Sequence, residues 1–182
     1  METILDLNDA AISGIDSGGN KKKIVKTRII ELRILNDLVT EDHLKPKTLG
    51  SAGIDLMAMS FGNDELAEEH GYIVLYPGNV RMIGTGIAIH IASPGYAGMI
   101  LPRSGVGHKG LVLGNLVGLI DSDYQGELKV SAWNRTNEAI KINRRDRIAQ
   151  LVIVPVMVPE FVIVDSFGES ERGAGGFGST GL

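Results

Sequence analysis

A chain of 182 residues is long enough for one domain with its own core, and its formal net charge of −4 provides no basic field for binding duplex nucleic acid. The sequence has no cysteine, which excludes disulfides and thiolate metal sites and agrees with a reducing, cytoplasmic environment. The longest apolar run, 151–158, is interrupted by Pro155 and is far shorter than the ~20 residues of a membrane helix, so no membrane partner is expected.

The N-terminal part of the chain has the composition of an extension. Residues 17–20 (SGGN) are linker-like, and the short basic run that follows them is typical of a solvated terminus. The Gly-rich end of the chain has too few apolar groups to pack a core. The predicted organisation is a flexible extension over 1–26, a β domain over 27–165 and a C-terminal arm over 166–182.

Alternation of apolar and polar residues predicts a series of short strands. Ile30, Leu32 and Ile34 alternate with charged residues, which predicts a half-buried strand. Further strands are predicted over 80–91, 96–101, 139–142, 148–154 and 161–164. Turn residues separate them at short intervals, as is typical of a β-sandwich or β-barrel.

One segment, 63–70 (NDELAEEH), has a helical pattern, with Asn63 or Asp64 as its cap. It lies within 60–76, a stretch that we interpret as an insertion. The insertion is either a tolerated surface feature or a partner-binding or regulatory element.

The most informative stretch is 113–130 (LGNLVGLIDSDYQGELKV). Gly114 is expected to turn the chain sharply, and 116–120 is predicted to be a buried strand whose Gly118 marks a close approach to the backbone. Asp121, Asp123 and Tyr124 follow at once, before the next strand. The pattern describes either a pocket with carboxylates and a phenol at its base or a hairpin whose aspartates only serve the turn.

Five motifs in order decide between these alternatives. They are AGIDL at 52–56, PRSG at 102–105, the stretch 113–133, RIAQ at 147–150 and RGAGGFGST at 172–180. Together they resemble the motifs of the trimeric deoxyuridine triphosphatases (dUTPases). The resemblance covers roughly residues 27–182, and it implies an all-β, jelly-roll-like barrel or sandwich with at most one short helix.

The same resemblance implies an activity and an assembly. Members of this family hydrolyse dUTP to dUMP and pyrophosphate with Mg²⁺, which keeps uracil out of DNA and supplies dUMP for thymidylate synthesis. They are homotrimers, in which one chain contributes motifs one, two and four to a site, another contributes motif three and the last contributes motif five.

The resemblance also implies roles for individual residues. Asp121 orients or deprotonates the attacking water, and Asp55 reaches a magnesium ion through water while the triphosphate holds most of that ion. The implied substrate-binding residues are Arg103, Ser104, Gly105, Gln150 and Arg172 at the phosphates, Asn115, Gly118, Leu119 and Tyr124 at the nucleoside, and Phe177, Gly178, Ser179 and Thr180 in the closing arm.

Some alternatives remain open at this point. Asp123 is the competitor of Asp121 and is interpreted as a structural residue, and Arg147 is either an anion clamp or part of a structural ion pair. The loop between Arg103 and Asn115 is one residue shorter than in close relatives, which is expected to shift a turn. The rival functions are a dCTP deaminase of the same fold and a non-catalytic regulator that binds a protein through 60–76 or the N-terminus.

Overall fold

The fold consists of short antiparallel strands with little helix. The computed structural model describes residues 10–12, 25–27, 29–48 and 50–176. The strands are β1 Ala10–Ile12, β2 Val25–Thr27, β3 Glu31–Ile34, β4 Ile54–Met57, β5 Tyr72–Leu75, β6 Val80–His90, β7 Tyr96–Pro102, β8 Leu111–Leu113, β9 Gly118–Ile120, β10 Glu127–Asn134, β11 Ile140–Asn143 and β12 Arg147–Pro155. The helices are α1 Glu65–His70, α2 Ser104–His108 and a 3₁₀ turn at Glu41–His43.

Two four-stranded sheets form the body of the domain. The strand order is β3-β6-β10-β8 in the first sheet and β4-β12-β7-β9 in the second. Two-stranded ribbons, β11-β5 and β1-β2, complete the described pairings, and every pairing is antiparallel. This arrangement confirms the predicted all-β, jelly-roll-type fold.

The hydrophobic core lies between the sheets and follows from the alternation along each strand. On β10, Leu128, Val130 and Ala132 are buried, while the intervening Lys129 is exposed. The same core cluster includes Leu56 of β4, Ile83 of β6 and Ile148 of β12. The core therefore packs the two sheets against each other.

Several expectations about single elements are wrong. The predicted strand at 161–164 does not form, and Phe161, Val162 and Ile163 are 85%, 81% and 97% exposed. A strand needs a backbone partner, and this segment has none among the described residues. The helix count also differs, since α2 joins α1 where at most one helix was expected.

The hairpin and the first strand of the body differ from expectation as well. The left-handed residue of the hairpin is Leu116 (φ 62°), and its strand begins only at Gly118. Leu116 and Leu119 are 70% and 62% exposed, although a buried strand was expected. On β3, Leu32 and Ile34 are 37% and 45% exposed in the single chain. Sequence periodicity detects an apolar face but does not say what covers it.

The insertion 60–76 is built into the domain. Its helix α1 begins after the predicted cap Asp64, whose side chain accepts a hydrogen bond from Ala67 N. Phe61, Ala67 and Ile73 are buried in the core, and β5 pairs with β11. The insertion thus contributes core packing to this fold, and its binding of a partner gains no support from the structure.

Within the described ranges of the chain, no helix is long and apolar enough to cross a membrane.

Gly86 is a position where the fold requires glycine. Its φ is +71°, and an added Cβ would lie 2.8 Å from Asn36 Cβ and 3.2 Å from Met59 Cβ. Gly86→Ala is expected to lower the free energy of unfolding by about 2–4 kcal/mol, through both backbone strain and overpacking. Chemical denaturation of the purified variant measures this loss.

Gly62 offers a matched control. Its φ is +70°, but an added Cβ would have no heavy atom within 4 Å. Gly62→Ala should therefore cost only the backbone term, about 1–2 kcal/mol. Equal losses in the two variants would show that the close approach at Gly86 does not matter.

Candidate active site

One end of the second sheet brings four predicted residues together. Arg103 Nε donates a hydrogen bond to Asp55 Oδ1 at 2.6 Å, and Arg147 Nη1 donates to Asp55 Oδ2 at 3.2 Å. Gln150 Nε2 donates to the carbonyl of Pro102 at 2.9 Å, directly before Arg103. We call Asp55, Arg103, Arg147 and Gln150 the arginine–aspartate cluster.

Strand register explains why these distant residues meet. Gln150 on β12 is paired with Asp55 on β4, and Ala149 is paired with Pro102 at the end of β7. Gly53 provides the space for Gln150, since a Cβ there would lie 2.8 Å from Gln150 Oε1. Sequence reasoning did not identify this role of Gly53, because strand periodicity does not reveal which side chain faces a glycine.

The cluster is partly enclosed and carries excess positive charge. The Asp55 side chain is 14% exposed, and those of Arg103 and Arg147 are 28% and 48% exposed. One carboxylate therefore faces two guanidinium groups, and a partly buried pair is screened by solvent less than a surface pair. Of the two alternatives for Arg147, the structure shows an ion pair, and its partner is Asp55.

An open groove of ≈ 690 Å³ borders this cluster. Its floor is apolar, with Leu111 and Ile148, and its rim carries further cationic side chains. Those additional cations are Lys109, Lys141 and Arg145, with Asp146 as the acidic residue of the lining. Ser104 and Gly105, in the first turn of α2, are exposed beside it. The surface next to the cluster thus favours an anion.

The predicted nucleoside residues lie on the hairpin, and we call Asn115, Gly118, Asp121 and Tyr124 the hairpin cluster. Asp121 and Tyr124 are exposed, and Tyr124 N donates to the Asp121 carbonyl at 3.2 Å. The Tyr124 hydroxyl donates to the Glu127 carbonyl at 3.0 Å, which fixes its ring. A turn of the main chain therefore carries an exposed carboxylate and an exposed aromatic ring three residues apart.

Close packing also accounts for Gly118. It is buried, and an added Cβ would lie 3.1 Å from Ile100 Cβ on the neighbouring β7. Asn115 Nδ2 would lie 3.5 Å from the same position. The predicted close approach to this glycine is confirmed, and in this chain the approaching group is the side chain of Ile100.

The surroundings of Asp121 and Asp123 do not distinguish which of the two carboxylates acts in the site. Both are exposed, and within the part of the chain that the structure describes neither carboxylate has a hydrogen-bond partner. Both are thus available to a ligand. Which of the two carboxylates contacts a ligand depends on how a partner molecule places that ligand at the turn.

In a single chain, Asp121 and the arginine–aspartate cluster lie far apart. Gly98 on β7 is paired with Ile120, so Asp121 lies level with the start of β7, whereas Arg103 follows its end. Six residues of extended chain separate these levels by roughly 20 Å. One chain therefore does not bring Asp121 to a ligand held by Arg103.

The described part of the C-terminal arm, 166–176, has no hydrogen bond to either cluster. Arg172 is exposed, and its Nε donates to the Gly175 carbonyl at 2.9 Å in a local turn. The remaining predicted arm residues, Phe177, Gly178, Ser179 and Thr180, lie outside the described residues.

The donor groups suit a cation that is held mainly by a ligand. Among the described residues, no group of three or more His, Cys, Asp or Glu side chains could hold a metal ion by itself. Asp55 has both oxygens engaged, but each carboxylate oxygen has a second lone pair that can accept a hydrogen bond from metal-bound water. The set fits Mg²⁺ bound indirectly.

Comparison with known proteins now identifies the family. The dUTPase family profile matches residues 41–181. The chain belongs to the dUTPase family. Deoxyuridine 5′-triphosphate nucleotidohydrolase of Ralstonia pickettii is 55% identical over 153 residues, which cover 84% of this chain and 97% of the relative. The Burkholderia mallei protein of the same name is 54% identical with the same coverage.

Solved structures of phage dUTPases resemble this dUTPase-family chain. The dUTPase of Staphylococcus bacteriophage 80alpha, solved with dUPNHPP, has a TM-score of 0.70 and 28% identity over 86% of this chain and 100% of that chain. A mutant dUTPase of phage phi11 of S. aureus, described as coordinating a structural Mg(II) ion, has a TM-score of 0.64 and 25% identity over 78% of this chain and 100% of that chain.

The shared carboxylate should contribute to stability. Asp55→Asn removes the negative charge between Arg103 and Arg147 and leaves two guanidinium groups without a counter-charge. We expect the free energy of unfolding to fall by about 1–3 kcal/mol, because these hydrogen bonds join charged groups in a partly buried site. Thermal and chemical unfolding at fixed protein concentration measure the change.

Asp42→Asn is the surface control. The hydrogen bond from Lys45 lowers the pKa of Asp42, but both side chains are largely exposed. Breaking that pair should produce no measurable change in stability. If the free energy of unfolding of Asp55→Asn equals that of Asp42→Asn, the ion pairs of Asp55 with Arg103 and Arg147 do not stabilise the fold.

Proposed function

We propose that this chain hydrolyses dUTP to dUMP and pyrophosphate, as its family membership and its named relatives indicate. The observation that carries the proposal is the arginine–aspartate cluster, which gathers motifs one, two and four at one end of a sheet. Fixed guanidinium groups beside an open cationic groove suit a triphosphate.

The cluster supplies positioning and charge. Arg103 is oriented by Asp55 and can bind phosphate oxygens, and the N–H groups of Ser104 and Gly105 lie in the first turn of α2, where helical acceptors are missing. Gln150 is fixed next to Arg103 through Pro102 and can contact the same phosphate chain. Motif five adds Arg172 from the arm.

Mg²⁺ is the proposed cofactor. When bound, Mg²⁺ neutralises part of the triphosphate charge and polarises the phosphorus that water attacks. Asp55 would accept hydrogen bonds from its water ligands, and the triphosphate would supply most of the direct contacts. This role fits a carboxylate that two arginines already orient.

Asp121 is the residue proposed to orient the attacking water or accept its proton. Its carboxylate is exposed at the turn and has a fixed aromatic neighbour in Tyr124. A carboxylate beside a polyanion needs only to be ionised and well placed to orient water or accept its proton. The Tyr124 ring can lie against the deoxyribose and leave no room for a 2′-hydroxyl.

The hairpin backbone is the proposed base reader. Main-chain groups from Asn115 to Leu119 can offer a donor to uracil O4 and an acceptor to N3–H, whereas cytosine would mismatch both. Phe177, Gly178, Ser179 and Thr180 of the arm would cover the bound nucleotide, with Phe177 stacked on the base.

A homotrimer with shared sites is the proposed assembly. The roughly 20 Å between the level of Asp121 and that of Arg103 cannot be bridged within one chain, although attack at one phosphorus requires both. The apolar segment 156–167 supports this proposal, because Phe161, Ile163 and Phe167 are at least 85% exposed and a second copy could cover them. Cytoplasmic location stays a prediction from the composition.

The proposed substrate preference can be tested directly. With Mg²⁺, the purified chain should release pyrophosphate from dUTP and discriminate against dCTP, dTTP and UTP by a factor on the order of 10² or more, because each mismatch leaves buried polar groups unpaired or creates a clash. Chromatography of the nucleotide products, together with a pyrophosphate assay, measures each rate.

The same assay separates the rival functions. Ammonia release from dCTP would favour the deaminase, which needs a catalytic glutamate. Glu127, the glutamate of the hairpin, instead accepts a hydrogen bond from Gly86 N at 2.9 Å. Binding of dUTP without turnover would favour a regulatory binding protein.

Sharing of the site predicts complementation between inactive variants. Asp121→Asn should lower turnover by about 10²–10⁴ because it removes the proton acceptor, and Arg103→Met should weaken triphosphate binding and turnover. In trimers reassembled at random from both variants, roughly a quarter of the sites should be intact, with matching recovery of activity. Co-expression with two different tags isolates the mixed trimers, in each of which one of the three sites should be intact.

As a control, mixed trimers are prepared from the Arg103→Met variant and the Arg103→Met/Asp121→Asn double variant. Every site then lacks Arg103, so no activity should return. Mixed trimers of the two single variants that remain as inactive as this control would argue that each chain builds its own site.

A further inference from the structure

A tight turn, residues 143–147, connects β11 to the arginine–aspartate cluster. Asn143 N donates to Asp146 Oδ2 at 2.8 Å, and Asp146 N donates to the Asn143 carbonyl at 3.0 Å. Arg145 adopts a left-handed conformation with φ 72°, which is uncommon for a residue with a side chain. Such a conformation persists only where the surroundings fix it.

Three main-chain contacts anchor the turn to the rest of the domain, and in one of them Arg144 N donates to the carbonyl of Gly71, which follows α1, at 2.7 Å. Arg145 N donates to the Ala58 carbonyl at 2.7 Å, and Ala58 N donates to the Asp146 carbonyl at 2.9 Å. Ala58 directly follows β4, the strand that carries Asp55. The turn therefore moves with the end of that strand.

A side-chain contact anchors the turn to helix α1 of the insertion. Arg144 Nη2 donates to the Glu68 main-chain carbonyl at 2.9 Å and to the Glu68 carboxylate. The other carboxylate oxygen, Glu68 Oε1, accepts a hydrogen bond from Phe61 N at 2.5 Å. The Arg144 guanidinium also lies 5.9 Å from the centre of the Phe61 ring. Glu68 thus joins the start of the insertion, the helix and the turn.

The far end of the turn reaches the cluster itself. Arg147 donates through Nη1 to Asp55 Oδ2, and its carbonyl accepts a hydrogen bond from Arg103 Nη1 at 3.3 Å. Asp55 in turn orients Arg103 through the 2.6 Å contact with Nε. A displacement of the turn would consequently reach Arg103 both directly and through Asp55.

We propose that Glu68 and Arg144 are positioning residues that hold Arg147 and Asp55 in the arrangement that orients Arg103. The inference rests on the proposed function, in which Arg103 binds the triphosphate. It assigns the insertion a role in triphosphate affinity, exerted through the turn, and it requires no protein partner.

The geometry of the pair favours positioning over simple stabilisation. The Arg144 and Glu68 side chains are 28% and 33% exposed, so the pair is partly buried and the cost of desolvation offsets part of its attraction. Within the described residues, Arg144 Nε is buried with no hydrogen-bond partner, which costs stability. The contact between Arg144 and Glu68 is therefore imperfect as a stabilising element, but it fixes a strained turn beside the site. This combination indicates that the pair maintains the geometry of the turn.

The test compares triphosphate binding in variants of this pair. Arg144→Met removes the guanidinium but keeps a long side chain, and the main-chain bonds of the turn remain to preserve the fold. Glu68→Gln is milder, since it keeps the helix carbonyl and a polar group. Each variant is assayed for KM and kcat with dUTP, for affinity toward a non-hydrolysable dUTP analogue and toward dUMP, and for thermal unfolding.

Arg144→Met should raise KM and weaken the affinity for the triphosphate analogue, each on the order of tenfold. This is the scale expected when a binding group is slightly misplaced. Affinity for dUMP should change much less, because the hairpin contacts are unaffected. Arg144→Lys should recover part of the loss, since it keeps the charge but not the planar fork. In the Glu68→Gln/Arg144→Met double variant, the effects should not add.

Glu69→Gln is the matched control, because Glu69 is exposed on the same helix and loses the same charge. It should behave as the parent protein does. A folded Arg144→Met protein with parental KM and analogue affinity would overturn the inference, and so would a variant that only unfolds at a lower temperature. A parent protein that neither binds nor hydrolyses dUTP would instead overturn the proposed function.

Discussion

The Asp55 carboxylate, shared by two arginines, is the interaction on which the site depends. Asp55 lies on β4, and its partners Arg103 and Arg147 come from the ends of two other strands of the same sheet. Alone, each guanidinium would sample many rotamers. Together they are fixed by one carboxylate that is 14% exposed, where charge-assisted hydrogen bonds are stronger than in water.

This arrangement leaves the cluster with excess positive charge toward the groove. Two guanidinium groups face one carboxylate, and Lys109, Lys141 and Arg145 extend the positive rim. A chain with a net charge of −4 thus concentrates cations at one place. The local field, and not the overall charge, determines which ligand this surface favours. That distinction explains why an acidic protein can suit a triphosphate.

The single chain is incomplete in two respects that have one physical explanation. Asp121 and the arginine–aspartate cluster lie at opposite ends of β7, and the segment 156–167 exposes large apolar side chains. Both features are unfavourable in a single chain. The separation keeps the reacting groups apart, and the exposed segment leaves apolar surface area in water. Association of copies would correct both, which links assembly to activity in the proposed trimer.

The insertion shows how a segment outside the family motifs can become part of the structural support of the site. Residues 60–76 add a helix, a strand and buried side chains to the core. Through Glu68 and Arg144, the helix also contacts the turn that leads to Arg147. The expectation of a tolerated surface feature did not include the part of the segment that is core, namely Phe61, Ala67 and Ile73.

The sequence by itself determined the family, the motifs and most strands. Alternation identified the buried face of β10, and Asp64 correctly marked the start of α1, since both signals are local. The tertiary structure decided which motif residues meet: Asp55 with Arg147, Gln150 with Gly53, and Asp121 apart from Arg103. It also decided that 161–164 is not a strand in the single chain. These outcomes depend on strand register and on what covers an apolar face, and both are set by residues far apart in the chain.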